Sequence, residues 1–291
     1  MKKALYWVGS ALGLLGLGFV VFKLHEYAEQ IDLAKFSAAM WIALLILILV
    51  YGFAEIALAV AWRHILRFLD LDVNLRWAIS VYGNSQLAKY VPSNIFQFAG
   101  RQVLGAAAGL PAAPLLKSVF WELASLASAG ALFAVLTFPV VLQHISISVS
   151  IWGALLLYVL GLALGAWLVR RLFGPALLAA WMWYSGFLAL AGFSFVIVLG
   201  LITGNTWGET AFLICGSFLL AWLVGLLTPG APAGVGVREV VLYALLKNYV
   251  SEADLITAIV LGRVVTVSGD ILFYLLAAAT RPGLALNTER A

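Results

Sequence analysis

The chain has 291 residues, of which 64% are hydrophobic and only 10% are charged. No soluble domain of this length needs so much apolar surface, so the composition predicts an all-α, polytopic integral membrane protein. The net charge of +4 is modest and is typical of basic cytoplasmic loops, so we do not expect nucleic-acid binding. One cysteine and three widely separated histidines offer no metal-ligand spacing, and we expect neither a metal ion nor a cofactor.

Long apolar runs predict transmembrane helices along the whole chain. In chain order they cover residues 4–22, 38–61, 115–139, 150–169, 176–202, 210–228 and 253–280. The first run follows Lys2 and Lys3, and no small-residue cleavage site follows it, so we expect a retained helix rather than a signal peptide. We therefore expect a single transmembrane domain over residues 1–291, with about 7–8 transmembrane helices and two broken or re-entrant segments.

The first broken segment covers residues 78–110. Its first half, residues 78–91, would form about 21 Å of helix, whereas the hydrocarbon core needs about 30 Å. Pro92 ends this half and removes a backbone donor. The polar side chains Asn94, Gln97 and Arg101 share one helix face in the second half. The pattern predicts a re-entrant hairpin or an amphipathic pair at the membrane interface.

The second broken segment covers residues 226–240 and interrupts a strongly apolar region. Its helix-breaking residues are Pro229, Gly230, Pro232, Gly234 and Gly236. Arg238 and Glu239 follow where a helix restarts. Irregular backbone inside a bilayer is tolerated only where protein buries it or where it lines a wet cavity. The segment therefore predicts a binding site with a hinge, although a plain loop between helices is the simpler alternative.

The two broken segments indicate an internal repeat. Residues 92–97 align with residues 232–237, and at nearly the same offset Glu122 falls opposite Arg263. The repeat halves would cover about residues 38–140 and 176–280. Paired breaks at matching positions are typical of transporter binding sites. The sequence leaves open whether the repeats are parallel or inverted.

Charges at membrane depth are costly, so each is a functional candidate. The predicted substrate-binding residues are Lys89, Asn94, Gln97, Arg101, Glu122, Arg238, Glu239, Arg263 and Asp270. The four basic ones would form a dehydrated cavity for a phosphate group, which guanidinium groups bind in bidentate fashion.

Simpler roles are open for several of these charges. Lys89, Arg101 and Lys117 would in that case reach to the lipid head groups. Arg263 with Asp270, or Arg238 with Glu122, would be structural ion pairs. Glu55 would be a satisfied polar contact between helices.

The distribution of basic residues predicts the topology. The amino terminus, the loop at residues 63–76 and the pair Arg170 and Arg171 carry Lys or Arg, whereas residues 139–149 and 203–209 do not. By the positive-inside rule the basic segments, including the amino terminus, are cytoplasmic. This alternation requires residues 78–110 to return to the side from which they entered.

Two motifs resemble a known family. They are residues 89–97 (KYVPSNIFQ) with Arg101, and residues 229–239 (PGAPAGVGVRE). With Glu122 and the helix that carries Arg263 and Asp270, they resemble the flippase-like transmembrane region of the lysylphosphatidylglycerol synthase/flippase family, over nearly the whole chain. Family members often have Gly-Gly at 233–234 and Pro-Gly at 92–93, where this chain has Ala-Gly and Pro-Ser.

The resemblance implies a stand-alone, lipid-handling protein of the bacterial inner membrane, without the synthase domain and without lysyl transfer. It implies a flippase or transporter for a phospholipid or a polyprenyl-phosphate-linked lipid rather than an enzyme. Two other hypotheses remain open: an integral-membrane enzyme that acts on lipid-linked substrates, and a non-transporting accessory partner of a glycosyltransferase or lipid synthase.

Overall fold

The computed structural model describes residues 36–90, 96–228 and 236–280. Within these ranges every regular element is a helix, which confirms the all-α prediction for this part of the chain. Six helices are long and apolar enough to cross a membrane: Ala38–Phe68, Ala112–Val141, Ile151–Phe173, Pro175–Thr203, Thr210–Leu227 and Glu252–Ala279. They match six of the predicted spans, and the predicted helix at residues 4–22 lies outside the described residues.

The first of these six spans consists of α1 (Ala38–Ala54) and α2 (Ile56–Phe68), separated only by Glu55. The predicted end at residue 61 is wrong, because the helix continues for two more turns and carries His64 on the helix rather than in a loop. The chain turns at Asp70, which has a φ of 60°, and the Leu71 N–H bonds back to the Leu66 carbonyl at 2.9 Å. Aspartate tolerates this left-handed conformation better than most residues, so the turn follows Phe68.

Two short helices follow. Helix α3 (Leu75–Gln86) begins where the Asn74 side chain accepts a hydrogen bond from the Trp77 N–H at 2.7 Å, and it runs into a 3₁₀ turn at Leu87–Tyr90. Helix α4 (Phe96–Ala107) packs against α3. Each has 12 residues, or about 18 Å of length, so neither crosses a bilayer alone. Pro92 and Asn94, on which the predicted break depends, lie outside the described residues.

The remaining helices complete a bundle around one central helix. The helix of the second span is α5 (Ala112–Ala134), which leads through a 3₁₀ turn into α6 (Phe138–Val141). After them come α7 (Ile151–Phe173), α8 (Pro175–Thr203), α9 (Thr210–Leu227), α10 (Val237–Leu246) and α11 (Glu252–Ala279). Helix α8 packs against α1, α2, α5, α7, α9 and α11, so it is the centre of the described bundle. Helix α7 buries only Ala154 and therefore lies at the periphery.

Close helix crossings at glycine bring α1, α3 and α11 together. A Cβ atom at Gly52 of α1 would lie 3.0 Å from the Gly269 carbonyl oxygen of α11, and one at Gly269 would lie 2.7 Å from a Tyr51 ring carbon. Gly83 of α3 packs against Ala277 of α11 with no room for a larger residue. Small residues allow helix backbones to approach closely in membrane proteins. The polar residues next to these glycines are therefore held within contact distance of one another.

Candidate functional site

A cavity of about 110 Å³ opens among these helices. One wall is polar, and its described lining residues include Glu55, Gln86, Lys89, Gln97, Glu122, Arg238, Arg263, Thr266 and Asp270. The other wall is formed by α8 and α9, and its lining residues include Phe187, Leu188, Ala191, Phe218, Leu219, Trp222 and Leu226. The cavity is amphipathic, so it suits a ligand with a polar and an apolar part.

The deepest charge pair lies beside the cavity, between α4 and α5. Arg101 is 2% exposed, and its Nη1 atom lies 2.9 and 2.8 Å from the two carboxylate oxygens of Glu122. The Tyr82 hydroxyl donates to Glu122 Oε1 at 2.8 Å, and the Arg101 guanidinium lies over the Tyr82 ring at 4.1 Å. Arg101 is thus paired with Glu122 and packed on the Tyr82 ring, while Glu122 forms part of the cavity wall.

A second pair joins the start of α10 to α11. Arg263 donates to Glu239 Oε1 from Nε at 3.1 Å and from Nη2 at 2.8 Å. Glu239 Oε2 accepts a bond from the Gly236 N–H at 2.6 Å, so the same carboxylate caps the helix. Gly236 has a φ of 87°, a conformation that favours glycine. Burial has the largest single effect and raises the pKa of the Glu239 carboxyl. The charge and hydrogen bond of Arg263, the backbone hydrogen bond and the charge of Arg238 together hold the pKa below its ordinary value.

A third cluster joins α1, α11 and the turn after α3. The Lys89 ammonium lies 2.6 Å from Asp270 Oδ1 and 3.7 Å from Glu55 Oε1. Gln86 donates to Glu55 Oε1 at 3.0 Å, and the Tyr90 hydroxyl donates to Asp270 Oδ2. Two buried carboxylates therefore share one cation.

Arg238 differs from the other buried cations of the cavity. Its side chain is 8% exposed, its guanidinium lies 4.1 Å from the Phe218 ring centre, and it makes no ion pair or hydrogen bond within the described part of the chain. Burial, and then the nearby charge of Arg263, lowers the pKa of its guanidinium to about 9, so it keeps its charge near neutral pH. An unneutralised buried cation that lines a cavity favours the binding of an anion.

The structure places the predicted site residues in three groups. Lys89, Gln97, Glu122, Arg238, Arg263 and Asp270 line the one cavity. Arg101 and Glu239 hold two of these residues in place through ion pairs. Asn94, Pro92, Pro229, Gly230, Pro232 and Gly234 lie outside the described residues.

The structure also corrects the predicted structural ion pairs. Arg263 and Asp270 do not pair with each other, because two helical turns, or about 10 Å, separate them along α11. Arg263 binds Glu239 and Asp270 binds Lys89 instead. Glu122 pairs with Arg101 rather than with Arg238. Lys117 is exposed, and its role at the head groups stays a prediction.

Sequence reasoning missed Gln86 and Tyr90 and gave Glu55 only a minor role. Gln86 and Lys89 are three residues apart, and Tyr51 and Glu55 are four apart, which are the spacings of residues on one helix face. Those spacings were a usable signal. No sequence signal indicated that Glu55 and Asp270 lie close together, because their proximity depends on the crossing of α1 and α11 at Gly52 and Gly269.

The fold and the site together define a multi-pass, helical membrane protein with a charged, amphipathic cavity among its helices. When compared with models of known protein families and with curated proteins, the chain matches none.

Proposed function

We propose that the protein is a flippase or transporter that moves an anionic phospholipid, or a polyprenyl-phosphate-linked lipid, across the bacterial inner membrane. The observation that carries the proposal is Arg238, a buried guanidinium that lines the cavity without an anionic partner among the described residues. A lipid phosphate supplies the missing anion, and a guanidinium can bind two of its oxygens at once.

The two walls of the cavity support an amphiphilic substrate. The polar wall has Arg238 near Arg263 and Thr266, so that the head group has both charge and hydrogen-bonding partners. The wall formed by α8 and α9 has Phe187, Phe218 and other apolar side chains, against which an acyl or prenyl chain would pack. Gln97 lines the same cavity from α4 and would bond to the head group.

The paired charges would position the binding groups rather than bind the lipid. The Arg101–Glu122 pair holds α4 to α5, and the Glu239–Arg263 pair holds α10 to α11. In this proposal the short helices α3 and α4 form a re-entrant pair. The hinges would come from the helix-breaking residues that the sequence predicts, which are Pro92, Pro229, Gly230, Pro232, Gly234 and Gly236. The positive-inside rule then places the amino terminus in the cytoplasm.

A proteoliposome assay tests the proposal. Fluorescent phosphatidylglycerol in the inner leaflet becomes accessible to a membrane-impermeant quencher only if it crosses the bilayer. We expect fast quenching with the wild-type protein and slow quenching with Arg238→Gln, while Lys117→Gln, which changes an exposed cation, keeps the wild-type rate. Wild-type rates no faster than those of protein-free liposomes would overturn the proposal, and an unaffected Arg238→Gln variant would overturn the assignment of the site.

A further inference from the structure

The cluster of Glu55, Asp270 and Lys89 has more acid groups than cations. Both carboxylates are fully buried, and each lies within 4 Å of the single Lys89 ammonium, at 3.7 Å for Glu55 and 2.6 Å for Asp270. If both acids were ionised, the cluster would carry a net negative charge away from water. Two neighbouring buried carboxylates avoid this cost when one of them holds a proton.

Hydrogen bonding indicates which acid holds the proton. Asp270 receives bonds from Lys89 and Tyr90, and Gln86 approaches it at 3.5 Å, so donors surround its ionised form. Glu55 receives one bond from Gln86 on Oε1, and its Oε2 atom is buried without a partner in the described part of the protein. A carboxylate oxygen without a donor is destabilised when it is charged, so the geometry favours the proton on Glu55.

The helices packed around Glu55 fix its electrostatic environment. The titratable or charged groups near it are Tyr51 on α1, Tyr82 on α3, Lys89 and Tyr90 in the following turn, Arg238 on α10, and Arg263 and Asp270 on α11. Glu122 on α5 lines the same cavity and is neutralised by Arg101. Helices α8 and α9 contribute only uncharged side chains to the described lining. Glu55 therefore shares one cavity with Arg238, the cation that has no anionic partner among the described residues.

We propose that Glu55, supported by Asp270 and Lys89, is a proton-binding site that is thermodynamically coupled to the binding of a lipid phosphate at Arg238. This inference rests on the proposed function and adds a driving force to it. At a pH where Glu55 of the lipid-free protein is ionised, a proton from water forms an O–H bond with its carboxylate as the anion binds, and the proton returns to water when the anion leaves. No group is oxidised or reduced.

The coupling has a definite sign. A bound phosphate adds negative charge to the cavity and so favours the protonated form of Glu55, and by linkage the protonated form binds phosphate more tightly. Affinity for the lipid therefore rises as pH falls and weakens as pH rises and Glu55 loses its proton. With one proton per lipid, the change is at most about tenfold per pH unit.

Calorimetry measures the coupled proton directly. The wild-type protein in nanodiscs of zwitterionic lipid is titrated with a short-chain phosphatidylglycerol, in buffers with different ionisation enthalpies and at several pH values. We expect net uptake of up to one proton per lipid bound in the wild-type protein. We expect no uptake, and affinity independent of pH, in Glu55→Gln. The control Glu209→Gln changes an exposed carboxylate and should behave as wild type.

Two results would separate this inference from the proposed function. If the wild-type protein binds the lipid without proton uptake at any pH, or if Glu55→Gln takes up the proton as well, the coupling is wrong and lipid binding stands. If the wild-type protein does not bind the lipid, the coupling and the lipid site both fail.

Infrared spectroscopy of the lipid-free protein tests the proton site without any ligand. We expect the carbonyl band of a protonated carboxylic acid in the wild-type protein, lost at high pH and missing in Glu55→Gln. If the wild-type protein shows no such band that titrates, the proton site is overturned, and this measurement does not depend on whether the variant folds.

Discussion

Two groups of buried charges lie around the same cavity but differ in whether each charge has a partner of its own. Arg101 and Glu122 form an ion pair with one charge of each sign. Tyr82 donates a hydrogen bond to Glu122, and its ring packs against Arg101. On the α11 side, Lys89 serves two carboxylates, and Arg238 has no anionic partner among the described residues. A balanced pair needs nothing further and holds helices together. An unbalanced cluster changes its energy when an anion or a proton arrives, so it is the better candidate for function.

The largest effect should come from breaking the balanced pair. Arg101→Met leaves Glu122 buried without its cation, and we expect a loss of about 3–5 kcal/mol in stability. The double variant Arg101→Met with Glu122→Leu should recover most of this loss, because no charge is then left unpaired. Thermal unfolding in detergent, followed by the fluorescence of the 11 tryptophans, measures both. A single variant as stable as wild type would show that the pair does not hold α4 to α5.

Substitution of Arg238 should have the opposite effect, with little change in stability and a large change in lipid affinity. Arg238→Gln removes a charge that has no anionic partner within the described residues, so we expect little loss of stability. We expect affinity for an anionic lipid to fall about 10- to 100-fold, the usual contribution of a hydrogen bond to a charged group. Arg238→Lys keeps the charge but loses the bidentate geometry, so its lipid affinity should lie between those of the wild-type protein and Arg238→Gln. Lipid titration and thermal unfolding on the same samples measure both effects. A variant Arg238→Gln that lost stability but kept its lipid affinity would contradict the assignment of Arg238 to lipid binding.

The helix crossing that creates the unbalanced cluster should be sensitive to a single methyl group. In Gly269→Ala the new Cβ atom would lie 2.7 Å from a Tyr51 ring carbon, so α1 and α11 must separate. We expect a cost of about 1–3 kcal/mol in stability. Gly186→Ala on α8 is the matched control, because its Cβ atom would meet no heavy atom within 4 Å. Equal melting temperatures for the two variants would argue against the close crossing.

The smallest effect is expected at a basic residue outside both clusters. Lys117 is exposed on α5, so Lys117→Gln should change stability by less than about 0.5 kcal/mol. Lipid affinity should stay at the wild-type value. Both are measured in the same titrations as Arg238→Gln, and a large loss of affinity would mean that the cavity is not the main lipid site.

Much of the fold could be predicted from the sequence, because long apolar runs have few alternatives in a bilayer. Six described spans match predicted ones, and Arg263 and Asp270 of α11, both predicted site residues, line the cavity. The end of α2 was misplaced because the turn depends on the backbone conformation of Asp70, which hydropathy does not encode.

The charge partners were harder to predict than the charges themselves. Spacing along one helix identifies a shared face, but it does not identify which residue of another helix is opposite. Asp270 binds Lys89 because α3 and α11 meet at Gly83 and Ala277. Glu55 lies next to Asp270 and Lys89 because α1 and α11 cross at Gly52 and Gly269. These contacts depend on packing between distant segments, which a single sequence specifies only indirectly.

Native mass spectrometry of the protein extracted from a bacterial inner membrane tests the central claim most directly, since it identifies what the cavity retains. We expect the wild-type protein to carry an anionic phospholipid or a polyprenyl-phosphate-linked lipid, and Arg238→Gln to lose it while Lys117→Gln keeps it. A wild-type protein that carries no lipid or only zwitterionic lipids, or an Arg238→Gln variant that retains the anionic lipid in full, would contradict the account.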